Sequence, residues 1–189
     1  MEAIENGRHN MLFPIQVPKC KNSLNFFVKE YNQGYVYTGS QAEHNIYIIK
    51  PDESFSAFDI GMNCLCATMP DEQLLVIGSN DGVLKIFNVA NPEKPFLLDT
   101  LTLDPPQNIN VMKSLNSKLI LCGQLLGNLA VVDCSKKQIV SSIKIPDAQS
   151  NHVNDITKTD DKTLFVVATN RGLALVKIND SNHKLLVQS

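Results

Sequence analysis

Apolar and polar positions along this chain fall into a pattern that recurs. Leu74-Leu-Val-Ile-Gly-Ser-Asn-Asp-Gly-Val-Leu-Lys-Ile-Phe87, shifted by 45 residues, meets Leu119-Ile-Leu-Cys-Gly-Gln-Leu-Leu-Gly-Asn-Leu-Ala-Val-Val132. A second shift of 45 reaches Leu164-Phe-Val-Val-Ala-Thr-Asn-Arg-Gly-Leu-Ala-Leu-Val-Lys177. A looser copy lies upstream at Tyr35-Val-Tyr-Thr-Gly-Ser40 and Asn45-Ile-Tyr-Ile-Ile49. Each copy has a short apolar run, a polar segment with Gly82, Gly127 or Gly172, and a second apolar run, which predicts strand, tight turn, strand. Glycine suits such turns because it takes positive φ without a Cβ clash, and Asn80-Asp81-Gly82 is the clearest case. Further short runs flank each hairpin, such as Val153-Asn-Asp-Ile156 before and Gln138-Ile-Val-Ser-Ser-Ile-Lys-Ile145 after. The later runs alternate apolar with polar, as half-exposed outer strands do. No stretch sustains a 3.6-residue period, so little helix is expected.

Four strands in roughly 45 residues, repeated, is the sequence of a β-propeller blade. The predicted fold is all-β, about four blades at 24–61, 62–104, 107–145 and 152–189 after a flexible arm over residues 1–20. Over about residues 24–189 the chain resembles the WD-repeat (WD40-like) propellers, with degenerate repeats. The resemblance rests on the Gly78-Ser-Asn-Asp-Gly82 turn with Val83-Leu-Lys-Ile-Phe-Asn88. Asn88 follows Phe87 where that family has Trp-Asp, Val132-Asp133 keeps the aspartate, and His152 stands where the family often has Gly-His. The chain departs from the pattern in having no tryptophan, in Val176-Lys177, and in Leu126 and Arg171 at the place of Asp81. NHL- and quinoprotein-like propellers share the architecture. WD-type rings are usually larger than four blades, so the arc is expected to be open or incomplete. An open arc needs a second copy, another protein or further sequence, because its end blades leave apolar faces and strand edges uncovered. Met11-Leu-Phe-Pro-Ile-Gln-Val17 is a candidate cap for one end.

Charge and composition narrow the partners. Seventeen Lys and Arg against 19 Asp and Glu leave a net charge of −2, and no basic run exceeds Lys136-Lys137, so neither nucleic acid nor membrane is an expected partner. The acidic start lacks a secretory h-region, and the uncharged stretch from Leu119 to Val132 is too short and too glycine-broken to span a bilayer. Five cysteines (20, 64, 66, 122, 134) form no Cys-x-x-Cys pair and read as reduced thiols, hence a cytoplasmic location.

Residue types that carry chemistry are few. Cys64 and Cys66, two apart on a strand, would share one face and could hold a soft metal, but no second pair stands at zinc spacing and core filling is the simpler reading. Ser79 lacks the Gly-x-Ser-x-Gly spacing and the strand-to-helix setting of a nucleophile elbow. Gly34 to Gly39 lacks the lysine of a phosphate loop, and Asp160-Asp161 reads as a solvated turn. His152 is expected to join a structural hydrogen-bond network, with Asp155 and Thr157 as candidate partners. No catalytic residue, cofactor or metal is therefore expected.

Surface remains. The candidate partner-binding positions are the turn residues Asn80, Asp81, Leu125, Leu126, Asn170 and Arg171. Leu125-Leu126 puts two leucines in a hairpin turn, either as an exposed contact point or folded back on a neighbouring blade. The expected function is a non-catalytic protein–protein interaction scaffold with protein or peptide partners and possible self-association. The alternative is a regulatory or targeting propeller segment of a larger enzyme, such as a kinase-type assembly, with catalysis elsewhere; a hydrolase or lyase site in the central channel is a third reading.

Overall fold

The computed structural model describes residues 25–30, 35–40, 44–52, 54–146, 152–179 and 182–188. The arm over residues 1–20 and the Met11–Val17 run lie outside the described residues. Four antiparallel four-stranded sheets follow one another along the chain, each a meander. Blade 1 holds β1 (Asn25–Glu30), β2 (Val36–Ser40), β3 (Asn45–Ile49) and β4 (Phe55–Asp59). Blade 2 holds β5 (Cys66–Asp71), β6 (Leu74–Gly78), β7 (Val83–Asn88) and β8 (Phe96–Thr102). Blade 3 holds β9 (Ile109–Ser114), β10 (Leu119–Gln124), β11 (Asn128–Asp133) and β12 (Gln138–Lys144). Blade 4 holds β13 (Val153–Lys158), β14 (Leu164–Thr169), β15 (Gly172–Ile178) and β16 (Leu185–Gln188). The first strands of the blades touch in sequence, β1 to β5 to β9 to β13, which places them innermost in an arc of stacked sheets.

The second and third strands of the middle blades are apolar on both faces because each face serves a different seam. In blade 3, Ile120, Cys122, Ala130 and Val132 pack on blade 2, whereas Leu119, Leu121, Leu129 and Val131 pack on blade 4. That is why β10 reads as a continuous apolar run while outer β12 alternates. Burying each such Val, Leu or Ile contributes about 1.5–3 kcal/mol, so the seams are where the fold gains its stability.

Turn chemistry also repeats every 45 residues. Asp71, Asn116 and Asp161 each accept a hydrogen bond through Oδ1 from the N–H two residues on, at Gln73 (2.7 Å), Lys118 (2.8 Å) and Thr163 (2.9 Å). These Asx turns close the first hairpin of blades 2, 3 and 4. Asn88 and Asp133 make the same bond at the third turn, to Ala90 N–H and Ser135 N–H, both at 3.0 Å. The side chain after Phe87 and after Val132 thus has a local purpose, which either Asn or Asp fulfils.

Glycines set how closely blades approach. Gly82 has φ +79°, and a Cβ there would stand 2.7 Å from Pro106 Cα. Gly123 needs no unusual φ, but its Cβ would stand 2.4 Å from Val153 Cγ1 on the next blade. Gly78 meets Ile109 Cγ2 in the same way at 3.0 Å. A bare backbone at the end of the second strand therefore receives the β-branched residue that opens the following blade.

The constant 45-residue shift fails in blade 4. Its middle hairpin turns on two residues, Asn170-Arg171, with Thr169 opposite Gly172, whereas blade 3 turns over Leu125–Gly127. One residue fewer reverses the faces of the strand that follows. Val166 therefore opposes Leu175 as Leu121 opposes Val131, and Leu173 takes the place of Leu129 rather than of Asn128.

The two ends of the arc differ. On blade 1, Thr38 and Tyr47 oppose each other on the face turned away from blade 2, and both are buried, Tyr47 to 1% exposure. On blade 4 the face turned away from blade 3 is open, with Leu173 at 76%, Leu186 at 45% and Leu175 at 41% exposure. Among the described residues no contact between blade 4 and blade 1 compares with those inside the arc. No described helix is long and apolar enough to cross a membrane.

Candidate interaction surface

The middle turns of blades 2, 3 and 4 and the loop between blades 2 and 3 gather at one rim. In blade 2, Ser79 Oγ accepts from Val83 N–H (2.9 Å) and donates to the Asp81 carboxylate, so Asp81 stiffens its own turn while staying exposed. The loop between β8 and β9 is stitched across this turn: Leu103 N–H donates to Gly82 O and Ile109 N–H to Ser79 O, both at 2.9 Å. The same loop holds the blade 3 turn. Gln124, 1% exposed, donates its amide to Pro105 O (2.9 Å) and Gln107 O (3.2 Å), and Asn128 Nδ2 donates to Gln107 Oε1 (2.8 Å). Leu125 N–H donates to Asn108 O at 3.1 Å. Buried amides with their partners in place hold a turn rigidly, since an unmade bond there costs about 1–3 kcal/mol.

Asn80 is half-buried beside Asp81. Leu125 and Leu126 form a one-turn 3₁₀ helix with Leu126 at φ +56°; both are half-buried, and the turn lies against β13 of blade 4. The leucine pair thus folds toward its neighbour instead of standing free. Asn170 and Arg171 are exposed; Asn170 Oδ1 accepts from Asn154 Nδ2 at 2.6 Å, and Arg171 N–H donates to Thr169 Oγ1 at 3.3 Å. Three consecutive blades therefore present acidic, apolar and basic turns in that order along one rim. The buried Gln124 and its carbonyl partners are the residues the sequence reading missed, and the one signal for them was a polar residue between an apolar strand and a turn.

Other candidates separate in space. β5 begins at Cys66, so strand alternation does not extend back to Cys64: Cys64 enters the seam between blades 1 and 2, Cys66 the seam between blades 2 and 3. They do not face one another, which corrects the shared-face expectation. Cys66 donates to Ile109 O at 3.1 Å. Burial pushes the Cys64 thiol up to about 12, burial and the nearby Asp133 carboxylate push Cys134 up to about 12, and burial raises Cys122 further from reactivity. Among the described residues no three His, Cys, Asp or Glu side chains group as metal ligands. His152 is exposed, and Asp155 instead accepts from Ile156 N–H at 2.8 Å, so the expected histidine network is not formed with it.

Carboxylates with lowered pKa serve their own turns. Burial raises that of Asp133, but Ser135, the Lys136 N–H and the Lys136 ammonium outweigh it and hold the carboxyl below its ordinary value. At Asp161 the Thr163 N–H and hydroxyl do the same. On the opposite rim, a cleft of about 220 Å³ between blades 3 and 4 is lined by Leu119, Phe165, Ile178, Lys158, Lys162 and His183. Its volume falls below the range of small-molecule sites, and Lys158 already donates to Leu115 O at 3.3 Å.

No family model and no curated protein matches this sequence. Solved structures do. One chain of a structure entitled "Crystal Structure of Mitotic Checkpoint Complex" superposes with a TM-score of 0.65 at 16% identity, over 83% of this chain and 50% of that one. The Myceliophteria thermophila Cps50 (Swd1) β-propeller domain superposes with a TM-score of 0.66 at 11% identity, over 87% of this chain and 58% of that one. The fold is a WD40-like β-propeller. This propeller chain spans about half the length of the structures it resembles. With 1052 solved chains similar to it, the fold alone selects no partner.

Proposed function

We propose that this chain is a non-catalytic protein–protein interaction scaffold, a degenerate WD-repeat propeller that holds other proteins or peptides at the rim formed by its middle turns. The observation that carries the reading is the row Asn80-Asp81, Leu125-Leu126 and Asn170-Arg171: acid, apolar and base on turns tied down by hydrogen bonds that are part-buried in blades 2 and 3 and exposed in blade 4. A rigid row of mixed chemistry suits a peptide, because little side-chain and loop entropy is lost on binding. The reading places the protein in the cytoplasm, with reduced thiols and without nucleic acid, membrane, cofactor or metal. Protein partners as a class agree with neighbours that are propellers in protein complexes.

The test is capture of partners from a cell extract with the full chain and with an Asp81→Lys, Arg171→Glu variant, both checked for folding by circular dichroism. Proteins retained by the first and lost by the second support the rim. A retained set identical for both overturns it.

A further inference from the structure

Charge is divided unevenly along the arc. Residues 24–104 have four Lys and Arg against 11 Asp and Glu, whereas residues 105–189 have ten against six. The stretch that builds blades 1 and 2 is therefore acidic and the stretch that builds blades 3 and 4 is basic, although the whole chain is close to neutral. A basic half of this kind favours an acidic partner and repels a basic one.

The cleft between blades 3 and 4 gathers this charge around an apolar floor. Leu119, Phe165 and Ile178 form the floor, each at most 6% exposed. Lys158 from the end of β13, Lys162 from the turn after it and His183 from the turn between β15 and β16 stand around it. Among the described residues no carboxylate lines the cleft, and neither the two lysines nor His183 is in an ion pair. Asp160 and Asp161 share the turn of Lys162 but lie outside the lining, and Asp161 accepts from the Thr163 N–H at 2.9 Å and the Thr163 hydroxyl at 2.8 Å. On the blade 3 wall, Asn116 accepts from the Lys118 and Leu119 N–H groups through Oδ1, so its Nδ2 is the end left to donate. The same corner one seam earlier has the opposite sign. Cys134 closes its hairpin on Lys118 O as Ile178 closes on Thr163 O, and the carboxylates of Asp133 and Asp71 lie near Cys134. Cations around an apolar floor are thus particular to this seam and do not come with the repeat.

We propose that this cleft is a second binding site, which takes an acidic peptide segment: an Asp or Glu carboxylate among Lys158, Lys162 and His183, and a neighbouring aliphatic side chain on the floor. A volume of about 220 Å³ is too small for a drug-sized ligand but admits one side chain, the unit by which a peptide anchors in a pocket. The lysine ammonium groups are donors only, and Lys158 directs one of its three N–H groups to Leu115 O at 3.3 Å, which holds it at the cleft with the others left to donate. A carboxylate accepts from such groups about twice as strongly as a neutral oxygen does. Nucleic acid fits less well, because Phe165 is 1% exposed and offers no ring face on which a base could stack. The cleft and the row of middle turns lie at opposite ends of the strands, so the two sites are independent.

The test is an array of short peptides in which an aspartate or glutamate stands beside, or one residue from, a leucine, isoleucine or valine, probed with the full chain. The best binder is then measured by fluorescence anisotropy at about 0.1 M and about 1 M salt, between which the screening length falls from about 10 Å to about 3 Å. Binding should weaken at least about fivefold at the higher salt. Lys162→Glu, at an exposed position, and Lys158→Glu should each weaken it about tenfold or more with an unchanged far-ultraviolet spectrum, and Lys162→Glu suffices should the second variant fail to fold. Replacing the acid of the peptide by its amide, or the aliphatic residue by serine, should cost a similar factor. The Asp81→Lys, Arg171→Glu rim variant should bind the peptide unchanged, and Lys162→Glu should keep whatever the rim captures, so failure of either site is told apart from failure of the other. An array without a binder above its neutral peptides, or binding that Lys162→Glu leaves unchanged, would overturn the proposal. So would inorganic phosphate alone or oligothymidylate competing as well as the peptide.

Discussion

Replacing Gly123 by alanine tests whether the blades stack by pressing a β-branched side chain onto bare backbone. Gly123 sits on β10 opposite Val111 and Leu129, without positive φ, so an ordinary residue fits its backbone conformation. By unfolded-state entropy alone the substitution would stabilise by about 0.4–1 kcal/mol. Sterically it places a methyl carbon 2.4 Å from Val153 Cγ1, 2.9 Å from Val153 Cβ and 2.9 Å from Val111 Cγ1. Half-buried Val111 can rotate aside, but fully buried Val153 sits in the seam with a restricted χ1. Overpacking of this kind costs about 1–3 kcal/mol, so the net expectation is a loss of about 1–2 kcal/mol. The chain has no tryptophan, so urea unfolding is best followed by far-ultraviolet circular dichroism. For a slope of about 2 kcal/mol/M the midpoint should fall by about 0.5–1 M. Val153→Ala removes the offending methyls at a cost of about 1.6 kcal/mol in lost burial. In that background Gly123→Ala should become neutral or stabilising, a coupling of about 1–3 kcal/mol in the double-mutant cycle. A Gly123→Ala protein as stable as the parent, or the same loss in both backgrounds, would refute the argument.

Asp133 should make stability depend on acid: its folded carboxyl titrates below the unfolded value of about 3.9, so its contribution is complete above that pH and is lost as pH falls through the folded value. Asp133→Asn keeps the acceptor for Ser135 and Lys136 N–H, and should cost about 1 kcal/mol at neutral pH while flattening the acid limb of a stability-versus-pH curve; an unchanged acid limb would contradict it. The thiols of Cys64, Cys66, Cys122 and Cys134 are buried, so at pH 8 they should resist alkylation in the native protein and react in urea, as counted by mass spectrometry. Native labelling at any of these four positions would mean the seams open readily.

Blade architecture was legible in the sequence because it is local. Apolar alternation, Gly82 and Gly127 in turns, and the 45-residue period each act within one hairpin, and each hairpin formed in the structure. The Asx residues Asp71, Asn116 and Asp161 stood at the same period and could have been read as turn locks. Chemistry between blades was not legible. Whether Cys64 and Cys66 share a face depended on where β5 starts, and whether Leu125-Leu126 stands free depended on the distance to β13. The faces of β15 turned on a single missing residue in a turn, which a constant period hides and which pairing alone reveals.

By itself, then, the sequence determined four similar sheets, their strand order and the residue types in their turns, since hydrogen bonding and strand periodicity act over neighbouring residues. Tertiary structure alone decided which faces meet. Gly123 is required because Val153 arrives from the next blade, and Leu173 is exposed because nothing described arrives on the far side of blade 4. Burial belongs to pairs of surfaces, and a strand's own sequence carries just one member of each pair.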